Sequence, residues 1–493
     1  MEDLKEMVNL VTKRKAKKIE IIDLDNPSAE DNLYNKFFLA IQQEEIKDDE
    51  EAAALLYHTT AKDKKFLMLK SRLRDRLLNT VYFLDFNKKG DPQLKTIFYK
   101  VFKSFFAARV LVIEGARESA ESLLKKNLNY AILFEFTEMI FQYTKLLRTL
   151  AVDSGNKKQF YQYSQMTDHY GECMLAENHA EFIFRSLSLQ FAKTKSRTAN
   201  KQQYMKKKLD EIKALSARFP DSFNIAMFFH RVELIYYQFR NDNESVLKTC
   251  DAMEKRLTVH PQFNSDQRLG EIYLLRMFIY LNLRRFKEGR ENYFRSIQLL
   301  REGSINWFLV LENYFLLAMH TGNYEEASEV YDKAVSNDRF ESLAETKLEQ
   351  WRIYEAYLHF SKGGRNNFNL PKFLNSMPIF TQDKKGNYST ILIAQIIHLF
   401  RNNKEDEALD RVESLRKNVK RYMNNQNAIR TLLFVRLLKK MEHRYLRKED
   451  FVRKYQPILD KLRHYAIDDP RNSESLEVIP YEQLWEQLLQ TRR

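Results

Sequence analysis

His169, Cys173 and Glu177 stand at i, i+4 and i+8, a spacing that would place an imidazole, a thiol and a carboxylate on one stripe of a helix. Glu135 and Glu138 lie in the preceding apolar segment FEFTEMIF, and antiparallel pairing of two such helices would bring five potential ligands together. Helical di-metal centres, however, take Glu-x-x-His from each of two helices, whereas here His169-x-x-Glu172 occurs once and in reversed order. The pattern therefore predicts ordinary hydrogen-bonded or solvated side chains and no metal. Cys173 and Cys250, the two cysteines of the chain, form no Cys-x-x-Cys pair. They read as small buried hydrophobes in a protein of a reducing compartment, with the cytoplasm as the expected location. No spaced-glycine phosphate loop, nucleophile elbow or zinc-protease motif is visible. The expectation is a protein that is not an enzyme, with no cofactor and no small-molecule substrate.

Charge supplies the second kind of chemistry. The formal net charge is +14. Residues 193–208 hold seven Lys or Arg and no acid, among them Lys195, Arg197, Lys201, Lys206, Lys207 and Lys208. Residues 439–464 hold nine basic against four acidic residues, with Tyr445 and Tyr455 between them. Basic residues interleaved with aromatics suit a nucleic-acid backbone with stacked bases. The competing reading is a solvated helix face, with acids near enough in the second cluster for i,i+4 pairs.

Whatever these residues do, helices must position them. Eleven Gly and nine Pro in 493 residues leave little for the tight turns that sheets require, and suit long helices. The 35 Phe and 26 Tyr supply large rings to bury between helices. The most apolar long stretch, 97–116, is interrupted by Lys100, Lys103 and Arg109. It reads as an amphipathic helix, so no membrane association is expected. The start of the chain, MEDLKEMVNL, is acidic and lacks the apolar core of a secretory leader. Residues 1–92 read as an N-terminal helical module, including a helix over 2–18. Residues 93–209 read as long helices, one of them over 116–151, and 426–493 as a basic helical cap.

Residues 210–425 carry a repeat. In 311–338 an apolar helix is followed by a turn containing Gly322, and then by Tyr324, Ala327, Tyr331 and Ala334 at helical spacing. The small residues allow two helices to cross closely, and the rings fill the gap to the next hairpin. Phe286, Gly289, Tyr293 and Ser296 fit the same frame, as do Ala408, Val412 and Leu415 and, most loosely, Val246 and Cys250. The small positions Val246, Gly289, Ala327 and Ala408 are 43, 38 and 81 residues apart, so a degenerate unit lies inside the last interval. Over roughly 210–420 the chain resembles the tetratricopeptide family, whose usual period is ~34 residues.

The resemblance implies an all-α α-solenoid of antiparallel helical hairpins, following the N-terminal helical module. It also implies a non-enzymatic scaffold or adaptor that presents a groove to a protein or peptide; the second reading is a nucleic-acid-associated regulator. Some members clamp a peptide carboxylate with Lys, Asn and Arg on first helices; of the matching positions here, only Asn313 has suitable chemistry. Within the degenerate unit, 362–389 concentrates Gly363, Gly364, Pro371, Pro378 and Gly386. The expectation there is an irregular insertion whose Met377, Pro378 and Ile379 pack back onto the array, while Lys384 and Lys385 form an exposed turn that meets a partner.

Overall fold

The computed structural model describes residues 33–81, 93–193, 199–363, 369–377, 388–422, 429–442, 448–465 and 476–491. The predicted helix over 2–18 lies outside them. The fold is all-α, with helices packed in consecutive pairs as in an α-solenoid and no strand among the described residues. Its contacts gather into two compact units, 1–177 and 178–493.

In the first unit, α1 (Leu33–Gln42), α2 (Asp49–Tyr57) and α3 (Lys64–Val81) close on a small core of Phe37, Ala52, Ala53, Phe66, Leu69 and Leu73. Asp48 caps α2 by accepting from the backbone N–H groups of Glu50 and Glu51. The hairpins that follow are α4 (Gln93–Ile113), α5 (Arg117–Leu133), α6 (Thr137–Asp153) and the beginning of α7 (Lys157–Lys193). The sequence suggested one helix over 116–151. It is two, because Glu135 takes a left-handed φ of 46° and the chain reverses there.

The second unit contains the end of α7 and α8 (Ala199–Arg218), α9 (Phe223–Phe239), α10 (Asn243–Val259), α11 (Asp266–Asn282), α12 (Phe286–Leu299), α13 (Ile305–His320) and α14 (Tyr324–Val335). It continues through α15 (Glu345–Ser361), the six-residue α16 (Leu370–Asn375), α17 (Tyr388–Arg401), α18 (Glu405–Tyr422), α19 (Ile429–Lys439), α20 (Lys448–His464) and α21 (Tyr481–Thr491).

One turn recurs through both units. Gly115, Glu135, Gly155, Asn241, Arg284, Gly322 and Asn403 each adopt positive φ between paired helices. After each of them the next residue's N–H reaches back five residues, as in Ala116 to Leu111 and Lys404 to Leu399. This is the bonding of a Schellman end, which satisfies helix carbonyls while reversing the chain. Gly363 is also left-handed, and the sites 241, 284, 322, 363 and 403 are 43, 38, 41 and 40 residues apart. The 81-residue interval seen in the sequence thus holds two units, with the intermediate turn at Gly363. Glycine and asparagine tolerate this conformation; Glu135 and Arg284 occupy it at some cost in strain.

Close helix crossings explain the small residues. A methyl group on Gly289 would stand 2.7 Å from Leu317 Cδ1, and one on Gly270 would stand 2.7 Å from Leu300 Cγ. Ser296 sits at the second of these crossings, its hydroxyl donating 2.7 Å to Gly270 O. Val246, Ala327, Ala334 and Ala408 are fully buried. Tyr293 stacks face to face on Tyr314 of the next hairpin, with centroids 3.6 Å apart. Tyr331, the equivalent position one repeat later, meets Trp351 at 6.0 Å. Each such pair adds about 0.5–1.5 kcal/mol beyond the area it buries.

Candidate functional site

The potential metal ligands do not assemble. Glu177 accepts 2.9 Å from Thr137 Oγ1 and lies 3.9 Å from Cys173 Sγ, which ties α6 to α7. Glu135 is in the turn, and no group of metal-ligating side chains occurs among the described residues. Cys173 and Cys250 are both buried outside any disulfide, and burial pushes the Cys250 thiol up to about 12.

The basic stretch becomes the first half of α8. Lys195 and Arg197 lie outside the described residues. Lys201, Lys206, Lys207 and Lys208 are on the helix, whose other side buries Met205 and Leu209. Lys206 pairs with Asp210 at 2.7 Å and Lys208 with Glu211 at 2.8 Å, while Glu211 also holds His179 at 2.6 Å. The acids one turn further along the chain thus neutralise half of these cations, as on a solvated helix face. In the second cluster Tyr455 is buried, so its ring is closed to a base. Asn313 is nearly buried and donates 2.7 Å to Leu309 O of its own helix. Pro378, Lys384 and Lys385 lie outside the described residues. Beside them, Met377 and Phe373 are buried, and Arg352 donates 2.7 Å to Ser376 O, so 369–377 packs back onto α15.

The most elaborate polar arrangement was missed in the sequence. Residues 476–491 return across the hairpins of the second unit and seat their apolar side in its core, burying Leu476, Val478, Ile479, Tyr481, Leu484, Trp485 and Leu488. Arg430, at the start of α19, is 1% exposed and uses all five of its N–H groups. Its Nε and one Nη2 hydrogen grip Glu477 bidentately at 2.6 and 2.9 Å, the other Nη2 hydrogen meets Glu482 at 2.6 Å, and Nη1 donates 2.7 Å to both Leu462 O and Tyr465 O.

Around this knot, Arg284 adds 3.1 Å to Glu482, and His320 Nε2 donates 2.8 Å to Glu477 O. Thr390 exchanges hydrogen bonds with both the N–H and the C=O of Leu476, at 3.0 and 3.1 Å. Gln483 donates to His320 O at 2.8 Å and Gln487 to the Tyr324 hydroxyl. Tyr481 lies flat on Phe434, with centroids 4.5 Å apart.

Burial and pairing compete in this knot. Burial opposes the charge on Arg430, but the two carboxylates outweigh it and its pKa is raised. Burial also lifts the Glu477 carboxyl, a lift that Arg430 only partly offsets. Glu482 feels the same burial, yet Arg430 and Arg284 bring it below its ordinary value. His320 is driven down to about 4 by complete burial, so it is neutral, with its proton on Nε2. The signal available in the sequence was compositional. Within a tail read as basic, 476–490 carries Glu477, Glu482 and Glu486 and no Lys or Arg.

The class these observations define is an all-α array of stacked antiparallel hairpins that clasps its own acidic, aromatic C-terminal segment. No described helix is long and apolar enough to cross a membrane. Compared with protein-family models and with curated proteins, the chain matches none.

Proposed function

We propose that this protein is a non-enzymatic scaffold or adaptor of the cytoplasm, whose helical hairpins hold a protein or peptide partner. The observation that supports this reading is the clasp on residues 476–491. Helices far apart in sequence (α13, α17, α19 and α20) converge side chains and backbone groups on one short segment, as a peptide-binding array does. The buried, unbridged cysteines accord with a reducing compartment. The test is co-purification of the tagged full chain from its native cell, with and without nuclease, followed by mass spectrometry. Protein partners retained after nuclease are expected. Partners lost on nuclease treatment, together with salt-sensitive oligonucleotide binding by the purified chain, would overturn this reading in favour of a nucleic-acid-associated regulator.

A further inference from the structure

The exposed face of α4 combines two properties that neither the fold nor the clasp uses. Its inner face buries Val101, Ala108 and Leu111 against α5 and α6, anchored by the Tyr143 hydroxyl donating 2.8 Å to Val101 O. On the outer face, Phe98, Phe102, Phe106, Val110 and Ile113 recur at i, i+4, i+8, i+12 and i+15, each between 38% and 75% exposed. This is one continuous stripe, about 22 Å long at 1.5 Å per residue. Phe98 and Phe102 are in ring contact at 4.2 Å, so the stripe is a surface of adjoining rings. Lys95, three residues before Phe98, and Arg109, three after Phe106, fall on the same face. The helix Gln93–Ile113 contains four basic residues and no acidic one.

From this face we infer a docking surface for an acidic amphipathic helix: a partner segment of about four turns with apolar residues at i, i+3, i+4 and i+7 and carboxylates between them. The placement of charge selects that occupant. Lys95 and Arg109 stand within the apolar stripe, where a bilayer would have to accommodate cations among its acyl chains, whereas a protein helix supplies carboxylates at matching positions. A second copy of this chain would set the same cations against each other in a two-fold contact. Nucleic acid would find three rings but also Val110 and Ile113, which have no π-face on which a base can stack. The inference deepens the scaffold reading and rests on it.

The test uses the full chain with four probes, read by fluorescence anisotropy or co-sedimentation. These are a synthetic helix of about 18 residues, matched to the stripe, with Leu at the facing positions and Glu between; its Lys counterpart; phosphatidylcholine–phosphatidylserine vesicles; and a single-stranded oligonucleotide. The Glu peptide should bind and the Lys peptide should not. Phe102→Ser with Phe106→Ser should weaken binding about tenfold or more, and Lys95→Glu with Arg109→Glu should exchange the preference between the two peptides. The exchange of preference keeps the inference testable if the serine variant fails to fold. Equal binding of both peptides, binding of vesicles or oligonucleotide that the Glu peptide does not compete away, or a dimer that the serine variant abolishes would each overturn it. Co-purifying proteins that persist with the Phe102/Phe106 variant would overturn this surface alone and leave the scaffold reading standing.

Discussion

Helices α21 and α4 are both amphipathic and aromatic, and they meet opposite fates. In α21 the apolar side, with Leu484, Trp485 and Leu488, is sealed into a core, and even the acid Glu482 is drawn inside to meet Arg430. In α4 the Phe98–Phe102–Phe106 side stays open and its cations face solvent. The difference teaches that a hydrophobic stripe identifies a helix face that needs cover without saying what covers it. For α21 the cover is the array itself; for α4 we assign it to a partner.

The comparison breaks first at Arg430. Arg430→Ala would leave Glu477 and Glu482 buried without their counter-ion and should cost about 3–5 kcal/mol in denaturant unfolding. Adding Glu477→Gln and Glu482→Gln should recover much of that loss. If Arg430→Ala unfolded at the wild-type midpoint, the clasp would be a surface contact like any on α4.

Acid should loosen the same region. His320 and His398 are held neutral by burial, with pKa values lowered to about 4 from the ordinary 6.5. Between those values the unfolded chain binds more protons, so stability is full above pH 6.5 and declines as the pH falls toward 4. The loss should approach roughly 3 kcal/mol per histidine, and His398→Gln should flatten the slope in melts recorded across that range.

Overpacking comes next. Ala327 is fully buried on α14, so Ala327→Phe should cost ~1–3 kcal/mol. An unchanged melting temperature would show that this position is not a close crossing. The smallest expected effect sharpens the contrast most. Phe106→Ser on α4 should change stability by no more than about 0.5 kcal/mol, because the ring is already 65% exposed. A large loss there would make the face part of the core and remove the ground for a docking surface.

Much of the architecture was legible. Scarce glycine, abundant rings and the spacing of Gly289, Ala327 and Ala408 specified stacked helical hairpins, because close crossings admit only small side chains. Two hairpin turns escaped notice for a local reason. Glu135 and Arg284 take the left-handed conformation without being the residue types that advertise it. The fates of the candidate contact residues were less legible. Lys206 and Lys208 are cationic by type, but their partners Asp210 and Glu211 follow just beyond the stretch that looked purely basic. Asn313 had suitable chemistry for a clamp, yet its amide is bound within its own helix.

The sequence by itself determined the helices, their approximate period and the side of each that must be buried, because these depend on interactions a few residues apart. Only the tertiary structure decided that Arg430 meets Glu477 and Glu482, 47 and 52 residues further on, and that His320 meets Glu477 across 157 residues. Pairings at such separations leave no periodic trace in the chain. They are fixed by which apolar surfaces the stacked hairpins leave for the returning segment, and the buried charges must then find one another or remain unpaired at prohibitive cost.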